Sequence, residues 1–290
     1  MTSLLVFITY LATALLLSAL LFFPVFQAVN AIWEIRPDRV FYRLAMILAI
    51  LGFPPFLKLL AINNRNALGY SLQRIQYLRI FATGLAIGVM IMGIHVILLI
   101  LLGVRIPLSG SITFSDLLAS LLTGLFSAVL VALIEETFFR GAMQGYMRRH
   151  SRLLTTLLVT STFYAAVHFI RPPVAAGAYH IDWSSGFEML AGMLYQYQNL
   201  AVIADSFVAL FFAGLFLGLV REKTGNIALC TGIHAGWVLT IKLASSVTVI
   251  DNQSPLAFLV GSYDHMIGWA ATGILAVITL WYWRYAPSTR

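Results

Sequence analysis

An all-α polytopic membrane protein, about eight transmembrane helices in one bundle, is the fold this sequence predicts. Three observations lead there. Hydrophobic residues make up 60% of the 290 and charged residues only 10%, a balance outside the range of ordinary soluble domains. The apolar residues fall in long runs joined by short polar connections. The lysines and arginines outside those runs collect on alternate connections.

The first run, residues 1–33, carries no charged side chain. It lacks a basic leading region and a small-residue cleavage site, so it reads as the first span and not as a cleavable signal. The second, 40–62, contains Pro54-Pro55. Each ring removes a helix donor, so this run is expected to break or kink into two half-helices. The third, 80–104, holds His95, read as structural. The fourth, 117–146, carries Glu135, Glu136 and Arg140, and the fifth, 153–170, carries Tyr164 and His168. The longest connection follows, residues 171–199, with Pro172-Pro173, an aromatic and polar stretch from Tyr179 to Gly186, and Gln196 to Asn199. It reads either as an interfacial aromatic loop or as a lid at a substrate rim. The sixth run, 200–220, holds Asp205, which needs an interhelical bond or a supporting role at a site. The seventh, 227–250, carries the lone Cys230, His234, Trp237 and Lys242, the last placed to snorkel. The eighth is 266–283. The whole chain, 1–290, is expected to form a single integral-membrane domain.

Charge distribution sets the expected topology. The second, fourth and sixth connections and the tail carry Arg65, Arg74, Arg79, Arg148, Arg149, Arg152, Arg221, Lys223, Arg284 and Arg290. The odd connections carry Arg36, Arg39, Arg105 and Arg171. Positive-inside bias therefore puts both termini in the cytoplasm, and the compact chain points to a bacterial plasma membrane. The net charge of +7 reads as topology and contact with membrane lipid headgroups. No basic-aromatic patch suggests nucleic acid.

Two adjacent carboxylates at bilayer depth cost about 2.5–3.5 kcal/mol each, so their presence calls for a use. Glu136 and Arg140 are four apart and share a helix face, which pairs them. Glu135 points elsewhere and is left as the reactive carboxylate of the two. The turn Arg148-Arg-His-Ser151 folds the fourth and fifth runs into a hairpin. That hairpin brings Glu135 level with His168, about 25 Å from the turn. Tyr164 lies one turn before His168, placed to pack on its ring. His234 sits among Gly232, Ala235 and Gly236, small residues that let helices approach closely.

Such a set can hydrolyse an amide. Glu135 takes a proton from water, His168 positions that water, and His234 donates to the tetrahedral oxyanion. The chain has no H-E-x-x-H, G-x-G-D or G-x-S-G motif, so other intramembrane protease chemistries lack their markers.

At these residues the sequence resembles the CPBP intramembrane endopeptidases, which include the CaaX prenyl proteases and the bacteriocin-processing or self-immunity (Abi-type) membrane proteins. Their pattern is E-E-x-x-x-R, F-x-x-x-H and H-x-x-x-N on successive helices of an eight-span fold. Glu135-Glu136-x-x-x-Arg140 matches the first. Tyr164-x-x-x-His168 matches the second with tyrosine for phenylalanine. His234-x-x-x-Val238 keeps the histidine but has valine where the family usually has asparagine. The resemblance covers a catalytic core of roughly 128–240. It implies that Glu135 and His168 activate water, that His234 contributes to the oxyanion hole, and that Glu136 and Arg140 support the site. Trp237, three residues after His234, has an indole N–H that can stand in for the missing donor.

The expected partners are membrane lipid and a membrane-associated protein or peptide substrate. No cofactor is expected. Zinc on Glu135, His168 and His234, with Glu136 as base, is the alternative. Two other readings stay open: a non-catalytic peptide-binding or immunity-type protein of the same fold, and a proton-coupled transporter using Glu135, Asp205 and the histidines.

Overall fold

The computed structural model describes residues 2–110, 113–172 and 181–287. The described residues are mostly helical, and each of the predicted apolar runs is occupied by helix. Five helices have the length and hydropathy to cross a bilayer: Ser3–Asn30, Pro37–Leu59, Arg74–Leu101, Phe114–Arg148 and Leu200–Thr224. This is an all-α integral membrane protein. Two compact units divide the chain, Met1–Asn63 with Ala166–Leu200, and Asn64–Ala165 with Ala201–Arg290.

The first unit is built on α1 (Thr2–Asn30) and α2 (Pro37–Leu59). Their shared core is aromatic, with Phe22, Phe26 and Phe41 packed together. The Ser18 hydroxyl adds a 3.0 Å bond to the Phe41 carbonyl. Contrary to the sequence expectation, Pro54-Pro55 does not divide α2, which runs on to Leu59. The rings fall near the C-terminal end of the helix, so little of it lies beyond the lost donors. The Tyr10 hydroxyl donates to the Ala49 carbonyl just before the affected turn, and its ring stacks on Phe56 at 4.1 Å.

The long connection is also more than an interfacial loop. Residues 173–180 of it, including Tyr179 and His180, lie outside the described residues. Beyond them, α7 (Ser185–Gly192) inserts Met189 into the first unit's core, joined by Met193 just after it. Gly186 sits against the backbone of Ala19, where any side chain would collide. Exposed Trp183 rests on Phe23.

The second unit is organised by two helix contacts. In the first, α3 (Arg74–Leu101) and α9 (Ala228–Val247) meet through paired small residues, Gly84 and Gly88 against Gly232 and Gly236. A methyl group on Gly84 would come within 2.6 Å of the Leu229 carbonyl oxygen. Such intimacy is how helices associate where lipid removes the hydrophobic drive.

The second contact involves α4 (Phe114–Glu136), which opens on a capping box. Thr113 accepts from the Asp116 N–H, and Asp116 accepts from the Thr113 N–H at 3.0 Å. Phe114, Leu118, Leu122, Phe126 and Leu130 form an exposed stripe on this helix, the face a bilayer would cover. Gly124, Ala128, Ala132 and Glu136 form the buried one. The rod continues as a π-helix over Thr137–Met143 and a last turn, α5 (Gln144–Arg148). A turn leads to α6 (Leu153–Val167). The rod from Phe114 to Arg148 is 35 residues long. At about 1.5 Å per residue it exceeds the roughly 30 Å hydrocarbon core. Distance from the turn alone therefore does not set the depth of Glu135.

The ends of this unit differ. At one, β1 (Arg105–Pro107) pairs antiparallel with β2 (Thr248–Ile250). Buried Arg105 ties them by donating to the Thr248 hydroxyl (2.8 Å), the Thr248 carbonyl (2.6 Å) and the His265 carbonyl (2.6 Å). His95, as read from sequence, is structural here: it is buried and bonds the Met266 carbonyl at 2.9 Å. At the other end lie the C-termini of α5, of α8 (Leu200–Thr224) and of α10 (Trp269–Tyr285). Lys223 donates to the carbonyls of Tyr282 and Trp283 there, both at 2.9 Å.

Candidate active site

Neighbouring residues on a helix point about 100° apart, and the two glutamates use that difference. Glu136 continues the buried stripe of α4, and its side chain is 0% exposed. Its Oε1 accepts from Arg140 Nη1 at 3.0 Å and from His234 Nδ1–H at 2.8 Å. Glu135 lies off that stripe with its side chain 25% exposed, and its Oε2 is 3.9 Å from His234 Nε2. One carboxylate is thus sealed in an ion pair, and the other is part-exposed, with the Oε2 that faces His234 buried.

His234 owes its position to the glycines of α9. Gly232 and Gly236 are each two residues away, about 200° round the helix. With those faces against α3, His234 points to the opposite side, where α4 lies. The bond to Glu136 uses Nδ1–H, because an ionised carboxylate only accepts. Nε2 is therefore the ring atom turned towards Glu135.

Arg140 is 2% exposed. Besides Glu136, it donates Nη2–H to the Gly214 carbonyl at 3.3 Å. The Tyr164 ring covers its guanidinium at 4.4 Å and stands edge-on to His234 at 6.4 Å between centroids. The site of Tyr164 is thus at the Glu136–Arg140–His234 cluster. His168 follows directly on α6, in the first unit, where its carbonyl accepts from Arg171 Nε at 3.1 Å. Trp237 is 5% exposed and lies against Phe216 at 6.1 Å. Its indole N–H is buried and has no hydrogen-bond partner among the described residues. Asp205 accepts from the N–H of Ser206, and Lys242 reaches the Ser127 hydroxyl at 2.6 Å.

Sequence reasoning missed a ladder. Arg140 bonds the Gly214 carbonyl, Gln144 the Gly218 carbonyl at 2.9 Å, and Arg148 the Glu222 carboxylate at 3.3 Å. Each step advances four residues on both helices, so the rod and α8 run parallel with one constant offset. The signal was present as Glu136, Arg140, Gln144 and Arg148 at four-residue spacing, mirrored by Gly214, Gly218 and Glu222. The sequence could not say that the two rows belong together.

Tyr70 was also missed. The Thr137 hydroxyl donates to the Leu133 carbonyl, so the Tyr70 phenol is the donor in its 2.6 Å bond to Thr137. Burial pushes that phenol above its ordinary pKa, which keeps it a donor at neutral pH. The bond fixes the start of the π segment, whose wider turn is a feature often found at functional sites.

Among the described residues, no three His, Cys, Asp or Glu side chains are grouped to hold a metal ion. Glu136, the base of the zinc alternative, is occupied on Oε1 by Arg140 and His234.

Fold and site together define a helical membrane protein with an acid–imidazole–guanidinium centre inside its bundle. Residues 117–240 match the family model described as type II CAAX prenyl endopeptidase, Rce1-like. That segment contains every residue of the three motifs and is similar to the CAAX protease family, whose members are peptide hydrolases. No curated protein matches the chain. No solved structure matches it either.

Proposed function

We propose that this protein is a glutamate-type intramembrane endopeptidase that cleaves a peptide bond of a membrane-associated protein or peptide. The observation that carries the reading is the inequality of two adjacent carboxylates. Glu136 is spent on Arg140 and His234, whereas the side chain of Glu135 is part-exposed, outside that ion pair, and 3.9 Å from His234 Nε2.

Glu135 takes a proton from water, which His168 positions, and the water oxygen bonds to the scissile carbonyl carbon. The carbonyl π electrons move to oxygen, and His234 Nε2–H donates to the resulting oxyanion. With Nδ1–H held by Glu136, a second ring N–H requires the imidazolium. The charges suit it, since two carboxylates then balance one imidazolium and one guanidinium. On collapse the C–N bond breaks, and the proton held by Glu135 passes to the leaving amine. Trp237 offers its unpartnered N–H as the second oxyanion donor in place of the family asparagine. No step requires a metal. The basic ends of α5, α8 and α10 face the cytoplasm with both termini, as expected for a bacterial plasma-membrane protein.

The test is terminal-peptide mass spectrometry on membranes carrying the native protein, Glu135→Gln or His168→Ala. Native protein should generate new termini insensitive to chelator, and both variants should lose them. Native cleavage by Glu135→Gln sinks the mechanism. Loss on chelation, restored by zinc, overturns its metal-free form.

A further inference from the structure

The seam between α4 and α9 carries polar groups beyond the site. Ser127 on α4 meets Lys242 on α9, while Glu135 and Glu136 meet His234. Numbers fall along α4 as they rise along α9, so the two helices run antiparallel. Glu135 to Ser127 is eight residues, as is His234 to Lys242, a step of about 12 Å along either helix. Val131 and Val238 lie midway, completing on each helix a row at four-residue spacing, the kind that forms a ridge. Glu135, Val131, Ser127 and Val238 are part-exposed and Lys242 is exposed. Accessible surface therefore runs from the unsealed carboxylate to the lysine.

A second observation concerns the lysine itself. Its Nζ donates to the Ser127 hydroxyl oxygen at 2.6 Å. Ser127 spends its own proton on the Thr123 and Gly124 carbonyls, at 2.8 and 3.0 Å, and towards Lys242 it can only accept. An ammonium has three donors, and among the described residues no other acceptor and no carboxylate engages this one. Close packing holds the base of the side chain. A methyl group on Gly124 would meet Leu239 at 3.4 Å and the Lys242 Cβ at 3.9 Å. A snorkelling lysine runs out towards the interface, whereas this one reaches across the seam to α4.

We infer that Lys242 determines specificity by binding a substrate carboxylate about three or four residues from the scissile bond. The inference rests on the endopeptidase reading of the site. An extended chain advances about 3.3–3.6 Å per residue, so a peptide with its reacting carbonyl at Glu135 covers the strip in that many residues. Two sources share the chemistry: an Asp or Glu side chain, and the free carboxylate at a chain terminus. An ammonium paired at that distance selects among substrates without touching the reacting atoms.

The test reads the residues around each cut, by terminal-peptide mass spectrometry on membranes carrying native protein, Lys242→Met or Lys242→Glu. Native cuts should lie about three or four residues from an Asp, a Glu or a C-terminus. Lys242→Met should lose that preference, and Lys242→Glu should turn it towards Lys or Arg. Cuts beside internal acidic residues assign the side chain, and cuts near chain ends assign the terminal carboxylate. A recovered peptide is then resynthesised with the carboxylate as carboxamide. Native protein should favour the carboxylate form about fivefold, near the upper end for an exposed ion pair, and Lys242→Met should cleave both forms alike. A native profile without the preference, or one that Lys242→Glu leaves unchanged, overturns the inference; a lysine that only anchors lipid headgroups gives the second result. Native protein that makes no new termini removes the endopeptidase reading itself, whereas cleavage with an unaltered profile removes Lys242 alone.

Discussion

Replacing Arg140 with methionine should expose how strongly the buried pair depends on both members. The guanidinium is 2% exposed and makes a 3.0 Å bond to Glu136 and a 3.3 Å bond to the Gly214 carbonyl. Methionine keeps much of the volume and removes the charge. Glu136, wholly buried, would then retain only the His234 N–H. Removing one partner of a buried ion pair costs about 3–5 kcal/mol, mostly from the charge left behind. Glu136→Gln alone leaves the opposite charge stranded and should cost a similar amount. Its amide oxygen can still accept from His234 Nδ1–H, so the ring keeps its anchor. The double variant strands neither charge and should be less destabilised than Arg140→Met by itself. Unfolding in mixed micelles, titrated with dodecyl sulfate and followed by tryptophan fluorescence, supplies the four free energies. The expected non-additivity is about 1–3 kcal/mol, and agreement with simple addition to within about 0.5 kcal/mol would refute the coupling.

The remaining predictions use the same unfolding assay, with activity where stated. Gly84→Ala should destabilise by about 1–3 kcal/mol, the range for overpacking, because the new methyl meets the Leu229 carbonyl at 2.6 Å. Gly93→Ala, on the same helix with nothing within 4 Å, should be neutral or gain up to about 1 kcal/mol; equal losses at both positions would contradict the close α3–α9 contact. Trp237→Phe keeps the ring against Phe216 and deletes an N–H that has no partner among the described residues. It should leave stability unchanged while lowering kcat by about 10²–10³, and an unaltered kcat would remove Trp237 from the oxyanion site. Arg105→Met strands the Thr248 and His265 carbonyls that the guanidinium now satisfies. A loss of about 1–3 kcal/mol is expected for one buried and one part-buried acceptor, and a loss below about 0.5 kcal/mol would show that water replaces the arginine there.

Much of this protein is determined locally, and that part was legible. Membrane class follows from composition, because a bilayer selects residues by their transfer free energies one at a time. Helix locations follow from long apolar runs, and the Glu136–Arg140 pair follows from four-residue spacing on one helix. The three motifs marked Glu135, His168 and His234, and residues 117–240 match the CAAX protease family. Where expectation and structure part, a contact distant in sequence decides. Pro54-Pro55 leaves α2 whole, and the residues 171–199 connection folds into α7 because Met189 and Met193 find a core on α1 and α2.

Only the tertiary structure brought His234 Nδ1 onto Glu136, turned Nε2 to Glu135, and laid Tyr164 over Arg140. The same holds for the ladder from Arg140, Gln144 and Arg148 to α8. Periodicity reports which residues share a face of one helix. It contains no term for which other helix that face meets, or at what offset along its length. Those are set by the close approach of Gly84 and Gly88 to Gly232 and Gly236, and of the rod to Gly214 and Gly218. Packing of that kind is a property of pairs of helices, and it exists only once the chain has folded.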